Sequence, residues 1–352
     1  MTKVDIFSGF LGAGKTTLIK KLLEEAYKGD KVVLIENEFG EIGIDGGFLK
    51  NAGVEITEMN SGCICCSLVG DFSEALKKVI TEFEPDRILI EPSGVGKLSD
   101  VIKAVRDINN DEITLNSFTA VVDAKKCRMY MKNFGEFYND QVESASCIIL
   151  SHTTGVAEEK IDKCVELIRD KNKDATIVTT PWESIDGSKI LKAMEGSVSL
   201  ASELKKLEKD TVCPECGGHH HHHEHGEHGE HCECGHEHHH HEHGEHCECE
   251  HEHHHHADDV FGSWGSETAR KYSEDEIRNI LECLENEREY GMVLRAKGIV
   301  ESNDGRWIHF DYIPGESDVR YGDAEVTGRI CVIGSGLNTT AVELLFSAVE
   351  KK

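Results

Sequence analysis

Val4-Asp-Ile-Phe7-Ser-Gly9-Phe-Leu-Gly12-Ala13-Gly14-Lys15-Thr16-Thr17 is the stretch that decides the fold. A short apolar run, Val4–Phe7, enters a glycine-rich turn, and an amphipathic helical pattern, Thr16–Ala26, leaves it. Gly9 through Thr16 matches the phosphate-loop spacing G-x-x-x-x-G-K-[ST] in full, with the strand before and the helix after that the motif requires. Gly9, Gly12 and Gly14, with the small Ala13 among them, let the backbone curl until its N–H groups face a phosphate. The helix N-terminus adds positive potential there. Lys15 is placed to reach the β- and γ-phosphates and the Thr16 hydroxyl to ligate Mg²⁺, which predicts a nucleotide site.

Outward from this turn the chain alternates. Lys31–Ile35, Arg87–Ile90, Phe118–Val122, Cys147–Leu150 and Thr176–Thr179 read as buried strands, with helical patterns such as Phe72–Phe83 and Glu158–Asp170 between some of them. That alternation predicts an α/β fold, a P-loop NTPase with a mostly parallel central sheet covered on both faces. A P-loop protein needs a second acidic element at the end of a later strand. Ile88-Leu-Ile-Glu91-Pro-Ser-Gly94 supplies one: Glu91 to hold Mg²⁺ directly or through water, and the Gly94 amide to sense the γ-phosphate. Lys15 and Glu91 are therefore the catalytic candidates.

The 352 residues give a prior of about two domains, and their 66 acidic against 38 basic side chains give a net charge of -28. An excess of that sign argues against nucleic acid or an anionic membrane surface as partner. No apolar run approaches the ~20 residues needed to span a bilayer. The first residues lack a long apolar core before a cleavage site, and thiols grouped as CxCC, CxxC and CEC fit a reducing compartment; the expected location is cytoplasmic.

Twenty of the 22 histidines fall between His219 and His256, and Cys213–His256 also holds 11 Glu and six Cys with no Lys or Arg. HGEHCECGHEHHHH, His228–His241, returns as HGEHCECEHEHHHH, His243–His256, differing only at Gly235 against Glu250. With no apolar periodicity the segment buries no core and is expected to be disordered without metal. Its imidazoles, and the thiols Cys213, Cys216, Cys232, Cys234, Cys247 and Cys249, suit several borderline cations at once. It is too internal and too regular for a purification tag; a passive acidic linker is the plainer alternative. The expected organisation is a body over 1–204, a metal-binding linker over 205–264, and a small α+β module over 265–352. In that module Glu274–Asn286 and Thr339–Val349 read as helices, and stretches near Gly291–Val300, Trp307–Tyr312 and Gly328–Ile333 as strands.

Gly62-Cys63-Ile-Cys65-Cys66-Ser67 puts three thiols within four residues. Thiolates so grouped suit a soft or borderline cation such as Zn²⁺, and three leave a tetrahedral site one ligand short, which fits metal passage better than a permanent staple. Buried small hydrophobes or a redox thiol remain the alternatives.

GFLGAGKTT at Gly9–Thr17, ENEFGEIGID at Glu36–Asp45, GCICCS at Gly62–Ser67 and EPSG at Glu91–Gly94 occur in this order. Together they resemble the CobW family of P-loop GTPases, metallochaperone relatives of UreG and HypB. Arg295-Ala-Lys-Gly298 and the closing strand and helix resemble that family's C-terminal domain. The resemblance implies that Lys15, Thr16 and Thr17 bind phosphate and Mg²⁺ and that Cys63, Cys65 and Cys66 bind the cargo metal. It makes Glu36, Glu38 and Glu41 candidates to lend a carboxylate to that metal or to Mg²⁺. Such GTPases read guanine through Asn-Lys-x-Asp after a late strand; here Ser151-His152-Thr153-Thr154 follows Cys147–Leu150. Asp123 and Asp162 do not stand at the matching place.

The expected function is a slow, metal-stimulated GTPase acting as a metallochaperone for zinc, or for cobalt or nickel, with GTP, Mg²⁺, transition-metal ions and a client metalloprotein as ligands and partners. The alternatives are a metal storage or buffering protein with a regulatory nucleotide site, and an ATP-using enzyme acting on a small molecule or cofactor.

Overall fold

The computed structural model describes residues 1–37, 55–59, 69–108, 113–196, 257–325 and 327–347. Cys63, Cys65, Cys66, Glu38, Glu41 and the whole segment Cys213–His256 lie outside the described residues.

The first body runs β1 (Thr2–Gly9), α1 (Lys15–Glu25), β2 (Val32–Asn37), β3 (Glu55–Met59), α2 (Val69–Phe83), β4 (Arg87–Glu91), α3 (Leu98–Asp107) and β5 (Ile113–Asp123). It continues through α4 (Cys127–Asn133), α5 (Gly135–Glu143), β6 (Cys147–Ser151), α6 (Glu158–Lys171), β7 (Thr176–Val178), a 3₁₀ turn (Trp182–Ser184) and α7 (Gly187–Glu195). The seven strands lie in the order β3-β2-β4-β1-β5-β6-β7, every pair parallel. Helices on both faces leave the central strands no solvent side, which is why Arg87–Ile90 and Cys147–Leu150 are buried without interruption. At the amino edge of the sheet the buried Asp5 carboxylate is satisfied by Arg87, by Asn116 Nδ2 at 2.8 Å and by Ser117 Oγ at 2.6 Å. This ionic cluster sits at the end of β1 away from the phosphate loop, and its charges are all paired, a structural arrangement.

The second body is a five-stranded antiparallel sheet, β11-β10-β9-β12-β8, formed by β8 (Phe261–Thr268), β9 (Met292–Glu301), β10 (Trp307–Ile313), β11 (Glu316–Gly322) and β12 (Gly328–Ser335). One face carries α8 (Glu274–Cys283) and α9 (Thr339–Ser347): Ala296, Val300, Ile330 and Val332 pack with Ile277, Leu281, Val342 and Phe346. Ile299, Cys331 and Ile333 point the other way, into a core shared with the first body. Phe261 seals that junction, its ring centroid 6.0 Å from Phe10, 5.4 Å from Phe134 and 5.2 Å from Phe137.

β8 begins at Phe261, within the stretch expected as linker, and its ladder to β12 pairs Phe261 with Ser335. The helix expected over Glu274–Asn286 stops at Cys283 and a short separate turn of helix follows at Glu287–Tyr290. Its start was legible: Ser273 and Glu276 form a capping box, Glu276 N–H donating to Ser273 Oγ at 3.1 Å. The edge strands β3 and β11 were not read from the sequence. β11 buries only Val319, so no alternating apolar pattern exists to mark it. Among the described residues no helix is long and apolar enough to cross a membrane.

Candidate functional site: the phosphate loop and its cleft

β1 ends and α1 begins five residues apart, so the intervening loop must turn sharply. Gly9 stands at φ 146°, and a Cβ there would run into the Val121 carbonyl of β5, so only glycine closes this turn. Lys15 opens α1 and is 5% exposed. Its Nζ donates to the Gly9 carbonyl at 3.0 Å and lies 3.9 Å from Glu91 Oε1. The Thr16 hydroxyl donates to the Glu91 carboxylate, 3.1 Å from Oε1 and 3.2 Å from Oε2. Residues 75 apart in sequence thus meet because β4 lies next to β1.

Gly94 lies against the phosphate loop: a Cβ would come within 2.9 Å of Leu11 Cδ2 and 3.0 Å of the Leu11 amide nitrogen. Gln141 Nε2 holds this loop by donating to the Gly94 and Gly96 carbonyls at 3.2 and 2.8 Å. Glu36, 4% exposed, is the penultimate residue of β2, in register with Glu91 on β4 and with Glu58 on β3. Of the expected metal ligands it is the one the structure describes. Among the described residues no three His, Cys, Asp or Glu side chains gather as a metal site.

A cleft of about 450 Å³ opens over the loop, lined by Gly12, Gly14, Lys15, Thr16, Thr17 and His152 on one side and by Arg295, Asp311, Ile313, Glu316, Ser317 and Asp318 of the second body on the other. Its size falls in the few-hundred-Å³ range of small-molecule sites. Lys125 Nζ reaches Glu316 Oε1 at 3.3 Å across the same junction, and Arg295 Nη2 donates to Asp311 at 3.2 Å.

The loop after β6 enters this cleft. His152 has φ 54°, and its Nδ1–H donates to Asp123 Oδ2 at 2.8 Å. That hydrogen bond raises the imidazole pKa despite partial burial, which lowers it. Burial alone would raise the Asp123 carboxyl, but the His152 hydrogen bond and charge bring it below its ordinary value. Sequence reading set Asp123 aside; Asp123 and Ser151 are register partners at the ends of adjacent strands, and only that adjacency reveals the pair. Trp182 and Glu183 were also missed. The Trp182 ring would meet a Cβ on Gly14 at 3.2 Å while its Nε1–H donates to the Leu150 carbonyl at 2.9 Å.

Residues 3–179 match the family CobW/HypB/UreG, nucleotide-binding domain. The chain is 42% identical over 128 residues to the zinc chaperone CobW of Sinorhizobium, covering 34% of this chain and 36% of that protein. To the zinc-regulated GTPase metalloprotein activator 1 of Schizosaccharomyces pombe it is 24% identical over 323 residues, covering 87% of this chain and 74% of that protein. The zinc-bound YjiA GTPase of Escherichia coli aligns over 99% of both chains at 20% identity, with a TM-score of 0.40. The chain spans roughly one third to three fifths of the length of several curated zinc-chaperone relatives. With half its length matched and the phosphate loop, Glu91 and Gly94 assembled in one place, the chain belongs to the CobW/HypB/UreG nucleotide-binding family.

Proposed function

We propose that the chain is a cytoplasmic GTP-binding and GTP-hydrolysing metallochaperone. It holds a transition metal, zinc in the first instance, at Cys63, Cys65 and Cys66, and passes it to a client metalloprotein. The observation that carries the nucleotide half is the convergence of Lys15, Thr16 and Glu91 at the end of the sheet nearest the cleft. The names of relatives, zinc chaperones and a zinc-regulated GTPase metalloprotein activator, support the metal half.

Gly9, Gly12, Ala13, Gly14 and Thr17 shape and line the phosphate seat. Lys15, already desolvated, offsets the charge of the β- and γ-phosphates once its bond to the Gly9 carbonyl is exchanged for them. The Thr16 hydroxyl and the Glu91 carboxylate are hard oxygen donors of the kind that hold Mg²⁺. A Mg²⁺ held by these two side chains would supply positive charge beside the β- and γ-phosphates. Gly94, pressed against Leu11, lets the Glu91 loop follow the phosphate loop when the γ-phosphate comes or goes. Glu36 on β2, with Glu38 and Glu41 after it in sequence, offers carboxylates to the metal, and the Cys213–Cys249 thiols with the histidine repeats buffer the ion supply. Cys63, Cys65 and Cys66 fall between Met59 at the end of β3 and Val69 at the start of α2. The thiols thereby belong to the connection after β3, which β2 separates from β4 and its Glu91.

Lys15→Ala tests the nucleotide half directly. GTP binding, measured by titration of the full chain, is expected to fall by at least about 100-fold, the scale of losing a charged group from a phosphate site, while the circular dichroism is unchanged. Wild-type affinity in a folded Lys15→Ala protein contradicts the assignment.

A further inference from the structure

Guanine presents two N–H donors on one edge, N1–H and the 2-amino group, where adenine presents a bare ring nitrogen. A site built to read guanine therefore needs an anionic acceptor facing that edge, and a missing acceptor leaves two buried donors unpaired. In this chain the position after β6 that would carry an aspartate is Thr154. The structure shows what Thr154 does instead: its hydroxyl donates to Glu183 Oε2 at 2.9 Å.

We infer that Glu183, presented by the turn after β7 and positioned by Thr154, is the acceptor that reads the guanine edge in this protein; the inference rests on the guanine-nucleotide reading above. β6 and β7 are adjacent parallel strands, so the loops that leave their ends emerge side by side, where doubly wound sheets bind ligands. Both loops touch the phosphate-loop helix at its start. From a Cβ placed on Gly14, Ser151 Cβ is 3.9 Å away and the Trp182 ring 3.2 Å. Trp182, tied to the Leu150 carbonyl, fixes the turn that carries Glu183 against the loop that carries Thr154. Pro181 precedes the turn and Ser184 N–H closes it on the Pro181 carbonyl at 2.9 Å, so Glu183 leaves a constrained backbone and not a swinging loop.

Glu183 is exposed, as a residue awaiting a ligand edge must be. Its carboxyl is held below the usual carboxylate range by its own backbone N–H and by the Thr154 hydroxyl, so it is anionic at neutral pH. A carboxylate has about four lone-pair sites, enough to accept from Thr154 and from two guanine donors together. The carboxylate stands on the loop after β7, and the threonine on the loop after β6 orients it.

Calorimetric titration of the full chain and of Glu183→Gln with GDP, xanthosine diphosphate and ADP tests this. Wild-type protein is expected to bind GDP roughly 100-fold tighter than xanthosine diphosphate or ADP, the scale of two hydrogen bonds to a charged acceptor. Glu183→Gln offers an amide N–H₂ to the edge, so it is expected to weaken GDP by roughly 100-fold and strengthen xanthosine diphosphate, which carries an oxygen at C2. That gain cannot come from misfolding. If wild type prefers ADP, the guanine reading fails and this assignment with it. If wild type prefers GDP and Glu183→Gln keeps that preference, or loses both nucleotides, the assignment to Glu183 alone is overturned.

Discussion

His152 shows how one departure from a family pattern changes local chemistry. Its positive φ aims the imidazole back at Asp123, and the imidazole feels the charges of Glu316 and Lys125. The imidazole pKa is raised on folding, so its charge contributes stability that is full below the unfolded value, about 6.5, and lost as pH rises through the folded value. The Asp123 carboxyl is lowered, so its contribution is present above its unfolded value, about 3.9, and lost in acid. The thermal midpoint difference between wild type and His152→Asn is therefore expected to be largest near pH 5–6 and to shrink toward alkaline pH; a difference that grows with pH contradicts the pairing. At this scale Lys15, Thr16 and Glu91 were legible in the sequence because each stands in a contiguous motif. His152 with Asp123, and Thr154 with Glu183, were not, because each pair depends on which strands lie side by side.

The connection after β4 is where element geometry and function meet. Gly94 approaches Leu11 so closely that Gly94→Ala requires the Leu11 side chain to turn and its main chain to give by a few tenths of an ångström. A cost of about 1–3 kcal/mol is expected, together with weaker GTP binding. Chemical denaturation and nucleotide titration of Gly94→Ala check both, and an unchanged unfolding midpoint would show the contact to be slack. Element by element, legibility followed burial. The central strands β1, β4, β5 and β6 announce themselves as β-branched and leucine runs, because both faces are covered. Glu55–Met59 and Glu316–Gly322 lie at sheet edges and carry charge, so no periodic signal distinguishes them from loops. Phe261–Thr268 is interrupted by two glycines, and its role emerges only from the shared core around Phe10 and Phe261.

At the scale of the whole molecule, the C-terminal sheet closes the far wall of the nucleotide cleft: a Cβ on Gly12 would meet Ile313 Cδ1 at 3.2 Å. Nucleotide entry must therefore be felt by β10 and β11 as well as by the Glu91 loop. Glu36 and Glu91, in register on β2 and β4, join the strand before the acidic stretch with the strand whose carboxylate accepts from Thr16. A parallel α/β body and a separate C-terminal module were legible in the sequence, but not that the two share one core, since long-range packing has no local sequence mark. The proposed metallochaperone function predicts that γ-phosphate occupancy sets the grip of Cys63, Cys65 and Cys66 on the cargo ion. Linkage makes such coupling reciprocal, and the ~1–3 kcal/mol typical of two-state switches corresponds to roughly 5–150-fold in affinity. The most direct measurement is zinc affinity of the chain lacking Cys213–His256, whose many ligands would mask the single site, in GDP and in a non-hydrolysable GTP analogue. Zinc binding tighter by about 5–150-fold with the GTP analogue is the expected result, and equal affinity in the two nucleotide states would contradict the account.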